Sequence, residues 1–368
     1  MSYNFNSYYQ CGQNTYHNIF QAFRDQKSSG HFPQFTLDKD LVNSLSNIKR
    51  PRDTSIQHVR DLMVQRLKDL RKKYNKLIIA YSGGTDSYTI LRLCIDNDIF
   101  VDETVTQMVS LTGDLKTNLE YQAGLELAKQ HEGKQIGTCT ELHPTESDLE
   151  FVDDPDWFYN EKIVAGSFLP FRVYSTPVIV DTAKRQQEDS IVLMGYEKPR
   201  LLIEDGKLYW TVTDASVGEM MGCTNTVPFF LDKDNPELVA ALTYITIDNL
   251  KINDRLSTDQ LIGFHTNTHQ KQIELLDKYG FYKTPYHFIN VGLLGKTKFN
   301  FNRKTKRFYQ ELQKLNRQDF IDKVFNTHKK IFDLYGDLPY AIEKSGDFVK
   351  SVLRYSKKIP ILQDKFAG

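Results

Sequence analysis

Leu77-Ile78-Ile79-Ala80-Tyr81-Ser82-Gly83-Gly84-Thr85-Asp86-Ser87 decides the fold of this chain. The first five residues form a short apolar run, as in a strand covered on both faces. Two glycines follow. Lacking a Cβ, they let the backbone turn sharply and approach a ligand closely. From Tyr88 to Cys94 the apolar residues recur with helical spacing. The stretch reads as buried strand, glycine turn and helix start.

Working outward, the same alternation repeats. Upstream, Val59, Leu62, Met63, Leu67 and Leu70 recur at three and four residues, which predicts an amphipathic helix over 55–73 capped by Asp53 or Ser55. Downstream, a second strand is expected at about Thr104 to Leu111 and a second helix from Asn118 to about His131. A third strand is expected over 135–142, a helix around 178–187, and a short buried strand over 190–194. Strands alternating with helices imply an α/β fold with a parallel sheet flanked by helices. Residues 1–54 read as an N-terminal extension with irregular parts, punctuated by Ser28-Ser29-Gly30, Pro33 and Pro51. The α/β domain spans 55–225. Residues 226–368 read as a mostly helical substrate or partner region, with helical stretches over 235–249, 258–278 and 303–335.

The turn defines an anion site. A helix N-terminus carries roughly half a positive charge, and backbone N–H groups there are expected to face whatever sits above the strand. Ser82, Thr85 and Ser87 add hydroxyls. Asp86 conflicts with a phosphate unless a cation lies between them, and Mg²⁺ takes carboxylate and phosphate oxygens together. The turn is not a Walker A loop, because it contains no lysine, and it is not a dinucleotide GxGxxG. Ser82-Gly83-Gly84-Thr85-Asp86-Ser87 resembles the SGGxDS signature of the PP-loop ATP pyrophosphatases. That superfamily has the HUP-type, Rossmann-like fold of the adenine nucleotide alpha hydrolases, and includes asparagine synthetases and phosphoadenylyl-sulfate reductases. The resemblance implies ATP and Mg²⁺ as cofactors. It also implies a pyrophosphate-binding loop at Ser82, Gly83, Gly84, Thr85, Asp86 and Ser87, with adenine held by backbone near Ala80 to Ser82 and near Ser110 and Leu111. An ordinary glycine turn is the competing reading of the same six residues.

Other candidates are weaker. Thr112-Gly113-Asp114 loosely resembles an acidic stretch of the sulfate-reductase branch, and Asp114 is a candidate for metal, ribose or a helix cap. Glu197, Lys198 and Arg200 follow the 190–194 strand, and ligands of parallel sheets sit at the carboxyl ends of strands. Lys198 and Arg200 are therefore candidates for neutralising the departing pyrophosphate, with Asp86 as the third catalytic candidate. The competing reading is a solvated charged loop. The acidic run over 146–157 reads as solvated loop. His265 and His269 lack the partners of a zinc site. Cys94 and Cys223 read as buried, inert thiols. The stretch from Lys296 to Lys330 is basic, with Phe299, Phe301, Phe308 and Tyr309 interleaved. Nucleic acid is thus an admissible partner there, against a plain solvated helical face.

Composition narrows the class. Lys plus Arg and Asp plus Glu number 47 each, so the net charge of zero argues against a basic nucleic-acid coat protein. The four cysteines form no CxxC pair and fit a reducing, cytoplasmic setting. No apolar run is long enough to cross a membrane, and no signal peptide is visible. Ser2 stands where a class II glutaminase would need cysteine, so ammonia, an amine or a partner subunit is the expected donor. The expected activity is adenylation of a carboxylate or carbonyl substrate with pyrophosphate release, for later attack by an amine, ammonia or sulfur nucleophile. The alternatives are an enzyme like the phosphoadenylyl-sulfate reductases or another sulfur-transfer enzyme, and a non-catalytic nucleotide-binding module.

Overall fold

A computed structural model describes residues 7–17, 19–31, 33–83, 85–107, 119–142, 189–195, 200–204, 207–212 and 225–252, with short pieces at 313–314, 316–319, 322, 357 and 359–361. The expected helices at 178–187 and 258–278 lie outside the described residues. So does nearly all of 303–335.

The sheet-forming strands follow the predicted alternation. Helix α3 (Ile56–Lys73) is capped by Ser55, one of the two residues the sequence offers. Ser55 Oγ accepts from the His58 amide at 3.2 Å, and Asp53 accepts from the Ser55 amide at 2.7 Å. Its buried face is Val59, Met63, Arg66 and Leu67. Strand β4 (Lys76–Ala80) buries Leu77, Ile78 and Ile79, then α4 (Thr85–Asp96) begins directly after the glycines. Strand β5 (Val101–Gln107) starts at Val101 rather than Thr104. The Asp102 carboxylate explains this early start: it accepts from the Leu77 amide at 2.7 Å and also meets the Arg71 guanidinium, tying the opening residues of both strands to the end of α3. Helix α5 (Leu119–His131), β6 (Ile136–Leu142) and β7 (Ser190–Met194) complete the expected units.

These strands form one parallel sheet. β4 lies between β7 and β5, with β6 outside β5. A fifth strand, β10 (Thr226–Pro228), pairs in parallel with β7, so the sheet runs on past residue 225. The order β10-β7-β4-β5-β6 is a Rossmann-like arrangement. The chain leaves β4 in one direction through β5 to β6, and returns on the other side through β7 and β10. The strand order therefore reverses between β4 and β7.

Two further sheets were not expected. Within 1–54, β1 (Tyr8–Cys11), β2 (Asn14–Tyr16) and β3 (Gln34–Thr36) form an antiparallel sheet against α1 (Ile19–Ser29), and α2 (Lys39–Ser46) follows β3 in the chain. Beyond β7, the hairpin β8 (Arg200–Glu204) and β9 (Lys207–Thr211) pairs with β11 (Ile359–Pro360). Helix α6 (Pro236–Ile252) holds this hairpin: the fully buried Trp210 indole donates to Thr243 Oγ1 at 3.1 Å.

One buried charge pair joins α3 to the segment after β10. Arg66 Nη2 lies 2.6 Å from Asp232 Oδ2, both side chains being 4% exposed, and the guanidinium stacks over Phe229 at 5.3 Å. Removing one member of such a pair leaves a buried charge alone, at a cost of about 3–5 kcal/mol. Asp232→Ala is therefore expected to lose about that much stability in urea unfolding followed by tryptophan fluorescence. The double variant Arg66→Met, Asp232→Leu should recover most of it, since apolar residues of similar volume often replace buried pairs at no loss.

Candidate functional site

The site is built where β4 hands over to α4. Tyr81 closes the strand: its amide donates to the Val105 carbonyl at 2.8 Å and its side chain is buried. Ser82 is then exposed above the sheet edge. Gly83 is buried with φ of +67°, a left-handed conformation that a side chain would strain. That angle turns the chain back into the first turn of α4, which contains half-buried Asp86 and buried Ser87.

Ser87 is directed inward. Its Oγ accepts from the Ser82 amide at 3.2 Å and lies 3.2 Å from Ser82 Oγ. This corrects the expectation for one member of the turn: the Ser82 amide faces the protein and not the space above the strand. Ser82 is exposed and Asp86 half-buried on the same turn.

The second wall comes from β7. Gly195 follows Met194 at the carboxyl end of that strand, and a Cβ there would lie 2.8 Å from the Ser87 amide nitrogen and 3.0 Å from its Cα. Both are backbone atoms with no freedom to swing aside. A glycine at 195 therefore lets the start of α4 seat between the ends of β4 and β7. The sequence showed a glycine ending an apolar strand; the contact with Ser87 depends on strand order and was not legible.

The turn thus occupies the carboxyl edge of the sheet, between the two strands at which the order reverses. In open α/β sheets ligands bind at that crevice. The N-terminus of a helix of 12 residues contributes a positive end there. Gly84, the Thr85 side chain, Ser110, Leu111, Asp114, Glu197 and Lys198 lie outside the described residues. Arg200 opens β8, and its side chain lies outside them too.

No family model matches the chain, and no curated protein matches it. Among solved structures, it is similar to NMN synthetase from Francisella tularensis at 14% identity and a TM-score of 0.33, over 72% of this chain and 96% of that one. The fold assignment rests on the sheet order.

The residues present are chemically suited to a magnesium nucleotide. Mg²⁺ is commonly held by one or two carboxylates plus substrate phosphates, and Asp86 offers a partly exposed carboxylate at the helix start. Among the described residues, no group of three or more His, Cys, Asp or Glu could hold a metal without such phosphates. Cys94 is fully buried on α4 and burial pushes its thiol well above the usual range, matching the inert reading. Cys139, half-buried on β6, is raised by burial as well. Cys223 lies outside the described residues. No helix among those described is long and apolar enough to cross a membrane.

Two predictions follow from this geometry. Gly195→Val forces its side chain into the Ser87 backbone and should cost about 1–3 kcal/mol in urea unfolding, as overpacked sites do. The second concerns Tyr81, whose phenol burial pushes well above its ordinary value, with the neighbouring Tyr88 adding to the shift. A raised folded pKa keeps the neutral form in place. Its stabilising contribution is full below the unfolded value of about 10 and is lost as pH rises above that. Tyr81→Phe should therefore lose stability less steeply than the parent above about pH 10, read as urea midpoints across pH.

Proposed function

We propose that the chain is an ATP pyrophosphatase of the PP-loop type, which adenylates a carboxylate or carbonyl oxygen and releases pyrophosphate. The observation that carries this reading is the seat of the Ser82–Ser87 turn at the carboxyl edge of the sheet, between β4 and β7. Ligands of open α/β sheets bind in the crevice at that reversal point, and a helix N-terminus there favours an anion.

The chain's own groups divide the work. The N-terminus of α4 favours a polyphosphate by its dipole, and Ser82 Oγ offers it a hydrogen-bond donor. Asp86 would hold Mg²⁺, which supplies charge neutralisation to phosphate oxygens when bound. The substrate oxygen attacks the α-phosphorus, the bond to the bridging oxygen of the β-phosphate breaks, and that oxygen leaves with pyrophosphate. Fixed positive charge at the leaving group lowers the barrier more than it stabilises bound ATP, because charge builds up there in the transition state. Lys198 and Arg200 are proposed for this role, coming from the segment that follows β7. An acidic partner for the adenine ribose or metal is proposed at Asp114, and adenine contacts at Ser110 and Leu111.

The adenylated product would pass to an amine, ammonia or a sulfur nucleophile. The substrate in this proposal is a small molecule or, as the alternative, a nucleic acid engaging the basic stretch from Lys296 to Lys330. The sulfur-transfer alternative draws no support from Cys94, which is sealed in the core.

Asp86→Ala should abolish Mg-dependent pyrophosphate release, by more than about a hundredfold, while lowering the unfolding free energy by no more than about 1 kcal/mol, the worth of its favourable place at the helix N-terminus. Lys198→Ala should lower turnover more than ATP affinity. The assay measures pyrophosphate release from Mg·ATP with pooled metabolites and nucleic acid, and mass spectrometry identifies the adenylated species. Parent-like turnover of Asp86→Ala would overturn the assignment.

A further inference from the structure

The β8–β9 hairpin is held from a distance in the chain. β7 ends at Met194 and β8 opens at Arg200, so residues 195–199 alone connect the carboxyl end of the parallel sheet to the hairpin. Lys198 lies in that connection and Arg200 is the first residue of the hairpin, so a swing of the hairpin carries both. A two-stranded hairpin by itself is marginally stable in water, and a third strand or a packed helix is needed to hold it. Both supports are present here. Trp210 on β9 is fully buried, pairs with Leu201 of β8 on one side and with Ile359 of β11 on the other, and donates to Thr243 on α6 at 3.1 Å.

β11 is two residues long, so the ladder it offers is small. Its attachment comes from burial. Ile359 is 4% exposed and Ile361 6%, in the core that also takes in Leu41 and Leu45 of α2. Helix α2 packs against β11 and is itself anchored. Asp38, which caps α2, lies 3.7 Å from Lys233 Nζ, and Ser44 Oγ donates to the Lys233 carbonyl at 3.3 Å. β11 thus has an anchored helix and the middle strand of the hairpin sheet as its neighbours.

We propose that Ile359 is a positioning residue: with Ile361 it straps the β8–β9 hairpin in place and so fixes residues 196–200 at the carboxyl end of β7, without itself touching nucleotide or substrate. The consequence for turnover rests on the reading of Lys198 and Arg200 as groups that meet the departing pyrophosphate; the strap itself is a property of the ligand-free chain. Binding of ATP draws on the Ser82–Ser87 turn, which is built from β4 and α4. Groups that act on the leaving pyrophosphate count only when they are held in line with the reacting centre. Loosening the strap therefore lowers turnover and spares nucleotide affinity.

The test uses the full chain carrying Trp157→Phe, which leaves Trp210 as the sole tryptophan. In this parent, Ile359→Asp should move Trp210 emission to longer wavelength. It should also speed amide exchange over Arg200–Glu204 and Lys207–Thr211 about tenfold or more, with β4 and β7 unchanged. Turnover, read as pyrophosphate release from Mg·ATP with pooled metabolites and nucleic acid, should fall about tenfold or more, while Mg·ATP affinity stays within about threefold. Ile359→Val keeps most of the buried volume and should restore every readout. Should Ile359→Asp fail to unfold cooperatively, Ile359→Ala carries the same test with a smaller change. Unchanged exchange in the hairpin would overturn the strap, and faster exchange there with unchanged turnover would overturn its positioning role. So would a loss of turnover matched by an equal loss of affinity and by faster exchange in β4 and β7, the pattern of general destabilisation. If the parent releases no pyrophosphate, the functional reading fails on its own, while hairpin exchange and Trp210 emission still decide the strap.

Discussion

The whole arrangement depends on one junction: the helix start at Ser87 must fit between the ends of two parallel strands. β4 and β7 are hydrogen-bonded neighbours along Lys76–Ala80 and Ser190–Met194, so their carboxyl ends emerge side by side. The chain leaves one of them through Gly83 at φ +67° and the other through Gly195. The first glycine supplies a backbone conformation and the second supplies space. Neither can do the other's task, because the strain at 83 is in a torsion angle and the constraint at 195 is a contact with backbone atoms of α4.

From that junction the electrostatics follow. An acidic residue in the first turn is favourable to the helix dipole whether or not a ligand is present. Asp86 therefore does not by itself argue for a metal. What distinguishes it is position: the carboxylate stands at the reversal point of the sheet, beside an exposed serine, where a polyphosphate would need a cation. The buried pair Arg66–Asp232 belongs to a different category. It is sealed beneath Phe229, joins α3 to the segment after β10, and acts on the stability of the scaffold and not on the site.

Local features of this fold were legible and distant ones were not. The β4–turn–α4 unit could be read because apolar run, glycine pair and helical spacing lie within one short stretch. The cap of α3 could be read for the same reason. The N-terminal sheet could not: β1, β2 and β3 are three or four residues long, too short for an alternating pattern to emerge among the Tyr, Gln and Asn residues around them. The β8–β9 hairpin was available to a closer reading. Glu204 pairs with Lys207, which leaves Asp205-Gly206 as the connection, one of the strongest two-residue hairpin signals. β10 escaped because Thr226–Pro228 is a three-residue edge strand ending in proline, a residue that edge strands tolerate and central ones do not.

The inward hydroxyl of Ser87 marks the limit of motif reading. In the sequence, Ser82 and Ser87 look alike: both are serines at the ends of one six-residue turn, and both suit a phosphate. Their difference arises from the strand order, which brings Gly195 against the second serine and leaves the first open. A motif records which residue types a turn contains; the neighbouring strand decides which of them face the ligand. Positions of the turn that face β7 are thus constrained by packing, and positions that face away from it by chemistry. Substitutions at Ser87 should accordingly act through packing against Gly195, and substitutions at Ser82 through the open side of the turn.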